Sequence, residues 1–266
     1  MRFVETTISL GLLLATHAKQ CHAASDLDIL AGQHVIYSFP SSSTPPVQLV
    51  QLTKAGLVGG VILFGENVDS NTAAAMETLR KAYMASPAPA LLKKTTLADA
   101  KFFISTDQEG GQVRRMKNDE PKLSARQVGA STDPAAAGKA AGAAIATGVE
   151  LIMLSWAVYP ALDRRPAGLS NKWVQDELRS RLGFAGVTIT DAMEAGSLSG
   201  FGSAEETAHL AAEAGMDLLL ASGGIVTQGD TIRKALVNGI QSGRLDRTQF
   251  DDATKRIAAM RSKLWA

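Results

Sequence analysis

Two stretches of the sequence hold residues whose type and spacing could do chemistry. Asp191 closes the run Phe184-Ala-Gly-Val-Thr-Ile-Thr190, an apolar, β-branched segment that reads as a buried strand. A carboxylate at such a strand end is fixed by a rigid element and open to whatever lies beyond it, which suits a nucleophile. An Asp capping the helix that follows a strand fits the same position, and spacing alone leaves both open. The second stretch is Asp107-Gln-Glu-Gly-Gly-Gln-Val-Arg-Arg115. Its paired glycines allow close backbone approach to a ligand. Asp107 can accept hydrogen bonds from sugar hydroxyls, and an Arg can donate to them. A polar turn closed by a surface Asp/Arg pair accounts for the same residues.

Candidate strands at His34–Phe39, Gly60–Phe64, Phe102–Thr106, Glu150–Trp156, Gly186–Thr190 and Met216–Leu220 would position these groups. Most are nearly continuous apolar runs, as a parallel strand covered on both faces requires. Helices are expected over Val47–Ala55, Thr72–Met84, Pro134–Thr147, Lys172–Leu182, Ser203–Ala214, Asp230–Gln241 and Thr248–Trp265, the fifth opening on the capping box Ser203-Ala-Glu-Glu206. Ala85–Thr96, with two prolines, reads as a loop long enough to be an insertion. The alternation is α/β with a parallel sheet, either doubly wound or a (β/α) barrel. Three strands run into polar or glycine-rich turns, at Asp107, Asp191 and Ala221-Ser-Gly-Gly224. In a barrel these would share the C-terminal rim, where such enzymes build their sites. No Gly-x-Gly-x-x-Gly follows a first strand and no Walker loop is present, so a nucleotide-binding open sheet has no support.

At this point a resemblance becomes specific. The sequence resembles family 3 glycoside hydrolases, in particular the single-domain β-N-acetylhexosaminidase type. The matching segments are Gly60-Val-Ile-Leu-Phe-Gly65, Asp107-Gln-Glu-Gly-Gly111 with Arg115, Tyr159-Pro-Ala-Leu-Asp163 and Pro166-Ala-Gly-Leu-Ser170. They continue through Leu182-Gly-Phe-Ala-Gly-Val-Thr-Ile-Thr-Asp191-Ala-Met and Ala211-Ala-Glu-Ala-Gly-Met-Asp-Leu-Leu-Leu220. Together they run in family order from about residue 30 onward. The resemblance implies a (β/α)8 TIM-barrel-like fold and retaining hydrolysis of a terminal β-linked sugar, a β-N-acetylglucosaminide or β-glucoside. It places Asp191 on the family's nucleophile. Asp107 and Arg115 fall on positions that bind the sugar at the non-reducing end.

The sequence also departs from the family. A Lys-His-Phe-Pro-Gly-His-Gly-like segment, which in the family supplies sugar-binding Lys and His and the His acting as general acid/base, is missing. Residues 137–150 resemble the helix before barrel strand four, and residues 151–160 resemble strand six and its loop, with a join near Val149–Leu151. The barrel is therefore expected to be incomplete, with six recognisable strands and about two βα units absent. Trp156 follows Ser155 where the family has Ser-His; it reads as core filling, with sugar stacking as the alternative. Retaining hydrolysis needs a proton donor besides the nucleophile. Outside the N-terminal stretch only His34 and His209 remain, and both read as structural. Glu109 and Glu194 are the nearest carboxylates in sequence, though neither sits where the family places its donor. Asp163-Arg164-Arg165 reads as a solvated loop from which Arg164 could reach a substrate, and Lys93-Lys94 as an exposed face.

Composition bounds the rest. The 266 residues carry 27 Lys+Arg and 26 Asp+Glu, a formal charge of +1, with 45% hydrophobic residues. That excludes intrinsic disorder, a collagen-like repeat and a disulfide-rich miniprotein. It gives no electrostatic reason to expect nucleic acid or an anionic membrane as partner. No apolar run reaches the ~20 residues that span a bilayer. Arg2, the apolar stretch Ile8–Ala15 and the small-residue site around Ala23 read as a secretory signal over residues 1–23. The catalytic-type domain is then 24–266, a secreted chain of 243 residues without Cys21, the single cysteine. No metal-ligand spacing occurs, and neither metal nor cofactor is expected. The function expected is that of a secreted glycosidase acting through Asp191. The alternatives are an impaired relative that binds a glycan or glycosylated small molecule, a shortened product of a longer glycosidase gene, or a partner-binding α/β domain.

Overall fold

The computed structural model describes residues 24–40, 44–110, 112–115 and 149–264. The expected signal segment and the helix expected over Pro134–Thr147 lie outside them. Its strands are β1 (Val35–Tyr37), β2 (Gly60–Leu63), β3 (Phe103–Thr106), β4 (Gln108–Gly110), β5 (Val113–Arg114), β6 (Leu151–Leu154), β7 (Val187–Ala192) and β8 (Leu218–Ala221). The helices are α1 (Asp26–Gln33), α2 (Val47–Lys54), α3 (Thr72–Met84), α4 (Ala88–Thr96), α5 (Ala204–Ala214), α6 (Val226–Gln241) and α7 (Arg247–Ser262). A π-helix spans Lys172–Arg181.

Six strands form one sheet in the order β3-β2-β1-β8-β7-β6, every pairing in it parallel. The order decides between the two architectures. In a doubly wound sheet the fourth strand of the chain would lie beside the first. Here the last lies beside the first, and successive strands always step in the same direction, as around a barrel. The sheet is a curled, incomplete TIM-type barrel, open between β3 and β6 among the described residues.

Alternation along the strands sorts side chains onto two faces. Ile36, Ile62, Phe103, Val187, Ile189, Leu218 and Leu220 form an inner cluster, joined among the described residues by Ile257 and Met260 of α7 and by the half-buried Phe64, Leu151 and Leu264. Their neighbours Val35, Tyr37, Val61, Leu63, Leu219 and Ala221 face the helices, against residues such as Leu49, Leu79, Ala211 and Ile232. Helices on one face and an apolar filling on the other are what a barrel wall requires.

Two expectations need correction. The Ala85–Thr96 segment is not a loop: α4 occupies most of it. Pro87 caps that helix and Pro89 lies in its first turn, where a missing N–H has no intrahelical acceptor to lose. Leu91 and Leu92 then bury themselves as a helical face. The helix expected from Asp230 begins earlier, at Val226, which is buried.

Candidate active site

Parallel strands put all their C-terminal ends on one edge, so Asp107, after β3, and Asp191, the next-to-last residue of β7, share a rim. The pairing of β7 with β8 is irregular there: Ile189 faces Leu218, but Ala192 faces Leu220. One extra residue is accommodated between them, a bulge that re-aims side chains. The half-buried Asp191 lies in this bulge, and its Oδ1 accepts the amide of Ala192 at 2.7 Å. Ile189, two residues earlier, belongs to the inner cluster.

The segment after Asp191 is held from both neighbouring strands. Met193 donates its amide to the Leu220 carbonyl at 3.0 Å, and the Trp156 indole donates to the Ala192 carbonyl at 2.8 Å. Trp156 is buried, as expected of core filling. Glu194 sits on the rim and accepts from Ser222 Oγ at 2.6 Å, the Ser222 amide at 3.3 Å and Gln228 Nε2 at 2.8 Å. These three donors engage both carboxylate oxygens and tie the turns after β7 and β8 together.

The Asp107–Arg115 stretch is a small ribbon, β4 antiparallel to β5, standing on the end of β3. Its return brings Arg115 back to Asp107: the Arg115 amide donates to the Asp107 carbonyl at 3.3 Å, and Nη2 lies 3.7 Å from Oδ2. The guanidinium also lies over the Phe64 ring, 5.7 Å from its centroid. Phe64 follows β2 and packs on the inner cluster that contains Ile189. One apolar floor thus runs from beneath Arg115 to the base of Asp191. Phe64 as the support of Arg115, and the indole bond to Ala192, are site features the sequence reading missed; the only signal was that Phe64 closes an apolar run and Trp156 closes another.

The remaining candidates lie elsewhere. His34, before β1, is at the opposite edge of the sheet, bonded to the Asp217 carbonyl (2.9 Å) and Thr254 (2.7 Å) and stacked on Phe250. Burial pushes its pKa down to about 4. His209 is on the outer helix α5, bonded to the Ala235 carbonyl at 2.8 Å. Asp163 is held below the usual carboxylate range by the Ser170 hydroxyl and the Arg165 amide, and Arg164 is exposed. The side chain of Glu109 lies outside the described residues. No cluster of metal-ligating side chains occurs among the described residues.

Comparison with known proteins gives this rim a context. The family model of the glycosyl hydrolase family 3 N terminal domain matches residues 137–260. An uncharacterized secreted glycosyl hydrolase of Arthroderma benhamiae is 36% identical over 346 residues, covering 91% of this chain and 95% of that one. That alignment is longer than the 266-residue chain itself, so the relative carries stretches with no counterpart here. A beta-hexosaminidase of Nitrosomonas eutropha is 41% identical over 76 residues, 29% of this chain and 22% of that one. Among solved structures, the beta-N-acetylhexosaminidase from Beutenbergia cavernae superimposes with a TM-score of 0.70 at 21% identity, covering 90% of this chain and 99% of that one. The family 3 beta-N-acetylglucosaminidase from Paenibacillus sp. FPU-7 does so at 0.71 and 21%, covering 90% and 63%. With the family domain matched and a relative covered almost end to end, the chain belongs to glycosyl hydrolase family 3, a glycosidase lineage.

Proposed function

We propose that the protein is a secreted family 3 glycosidase that cleaves terminal β-linked sugars by a retaining mechanism, with Asp191 as nucleophile. Asp107 and Arg115 hold the sugar at the same rim. The observation that carries the reading is Asp191 itself: a half-buried carboxylate in a bulge at the C-terminal end of a barrel strand, one oxygen fixed by the next amide. Oδ2 is then available to attack an anomeric carbon. The β-hexosaminidase relatives favour an N-acetylglucosaminide over a glucoside. The test is hydrolysis of aryl β-N-acetylglucosaminide and aryl β-glucoside by the wild type and by Asp191→Ala. Release of the aryl group above the Asp191→Ala background is expected; equal rates would remove the reading. Secretion rests on the signal-like N-terminus and the secreted relative. Mass spectrometry of protein from the culture medium should find a chain beginning at Ala24.

A second reading follows from the proton donor. Both His34 and His209 lie away from the rim, and Glu194 is committed to three donors. General acid help is worth about 10²–10⁴ in rate. A protein without it would bind a glycan or glycosylated small molecule and turn over only substrates with self-sufficient leaving groups. Calorimetry with N-acetylglucosamine, beside hydrolysis of dinitrophenyl and methyl glycosides, separates the two: binding with cleavage of the dinitrophenyl glycoside alone marks the impaired relative.

A further inference from the structure

We propose that Trp156 is a positioning residue for Asp191, its indole N–H standing in for a backbone ladder that has already ended. The inference rests on Asp191 being the nucleophile. The parallel pairing of β6 with β7 runs from Leu151↔Val187 to Leu154↔Thr190 and stops one residue short of Asp191. Beyond it β7 bulges, so the segment that carries the carboxylate leaves the ladder on its β6 side. The Trp156 side chain, two residues past the end of β6, crosses that gap and donates to the Ala192 carbonyl at 2.8 Å. Ala192 in turn fixes Asp191 through its own amide at 2.7 Å. On the other side the Met193 amide is already bonded to β8 through the Leu220 carbonyl. Among the described residues the indole is the tie from β6 that pins this stretch against a β8 neighbour.

The ring is itself seated. Trp156 is 7% exposed, and a Cβ placed on Gly168 would lie 2.6 Å from its six-membered ring. Gly168 donates its amide to the Ser155 carbonyl, locking the loop that covers the indole. A side chain that merely filled space would need no donor at this point. A donor aimed at the residue whose amide orients the reacting carboxylate does more: it limits how far Oδ2 can wander from the line of attack, and small misplacements are costly to rate.

The test separates packing from positioning. Trp156 is replaced by β-(3-benzothienyl)alanine, which keeps the shape and exchanges N–H for sulfur, and, as a second variant, by Phe. Each protein is treated with 5-fluoro-N-acetyl-β-glucosaminyl fluoride and with 2,4-dinitrophenyl 2-deoxy-2-fluoro-β-glucoside. In both probes the bond from Asp191 Oδ2 to the anomeric carbon forms as the leaving group departs with its electron pair, so no proton donor is needed. Intact mass follows the covalent adduct, and hydrogen exchange follows the peptide containing Ala192. The expected result is a maximal trapping rate lowered about 3- to 10-fold in the benzothienyl variant, at unchanged half-saturation, with faster exchange at Ala192 and a melting temperature lowered by only a few degrees; one hydrogen bond is worth this much. Equal trapping rates in wild type and benzothienyl variant would overturn the positioning role while leaving the nucleophile intact. A folded wild type trapped by neither probe would overturn the nucleophile reading, and this inference with it. Unfolding of both variants would also overturn it, because a donor that only positions does not hold the domain together.

Discussion

Each charged side chain at the rim has a distinct chemical commitment, and the commitments predict different losses. Arg115 is half-buried between Asp107 and the Phe64 ring, with a buried Nε that has no partner among the described residues. A guanidinium held over a ring can present a planar fork to sugar hydroxyls, whereas an ammonium cannot. Arg115→Lys and Arg115→Ala should each weaken N-acetylglucosamine binding about tenfold by calorimetry, from hydrogen bonds to a charged donor worth ~1.5–3 kcal/mol. Asp191→Ala should leave that affinity within about twofold while abolishing turnover; equal losses in all three variants would mean that the rim is one structural unit. At the opposite edge, His34 is wholly buried between the Asp217 carbonyl and Thr254. Burial lowers its pKa from 6.5 to about 4, opposed by Asp217 and Asp251 and reinforced by Arg256. Between those values the unfolded chain binds the extra proton, so stability is full above about pH 6.5 and falls as the pH drops towards 4. The loss is at most about 3 kcal/mol. Urea midpoints from pH 7 to 4 should show it, and His34→Gln should flatten that part of the profile.

Elements, rather than single residues, explain why some of this was legible in the sequence. The strands β1, β2 and β8 are buried at every position, so an unbroken apolar run was a sufficient signal. The strand end at Asp191 was legible for the same reason, because the apolar run stops where the polar rim begins. The bulge was not: it depends on how β7 registers against β8, which is a property of the pair. The ribbon β4–β5 was also hidden, since its residues are too few and too mixed to carry an alternation. Pro87 and Pro89 disguised α4 as a loop, because proline marks a turn and a helix start equally well. Packing between elements was equally invisible. Asp217 begins the turn into β8 and is fully buried, bonded to Arg179 of the π-helix at 2.6 Å and to Arg256 of α7 at 2.7 Å, while also accepting the Thr188 amide at 2.9 Å. One carboxylate thereby joins three elements. Asp217→Asn leaves two guanidinium groups facing each other without it, and should cost about 3–5 kcal/mol in denaturant unfolding. A loss under about 1 kcal/mol would show that water replaces the carboxylate there.

At the scale of the whole molecule, the six strands of the sheet among the described residues must be held in a curl. The inner cluster supplies apolar filling, and the last described residues add ties at the base of the curl. Arg261, 1% exposed, donates to the Lys101 carbonyl at 2.6 Å and to Gln33 at 2.8 Å, and lies over the Tyr83 ring. Lys101 precedes β3 and is bonded in return to the Leu264 carbonyl. Lys263 pairs with Glu150, which precedes β6, at 2.5 Å. The end of α7 therefore holds the β3 edge through buried bonds at the base of the curl, and meets the β6 side through an exposed ion pair. Cutting the buried ties frees the β3 edge to pair with other chains. A chain ended after Met260 should lose several kcal/mol of stability, since Gln33 and the Lys101 carbonyl lose a buried charged donor at about 1–3 kcal/mol each. It should also associate with rising concentration in sedimentation velocity. Lys263→Ala alone should change neither reading appreciably, because both partners of that pair are exposed to water, at 65% and 42%. If the shortened chain melts and sediments as the parent does, the inner cluster by itself sets the curvature, and the rim that carries Asp191, Asp107 and Arg115 owes nothing to the far end of the barrel.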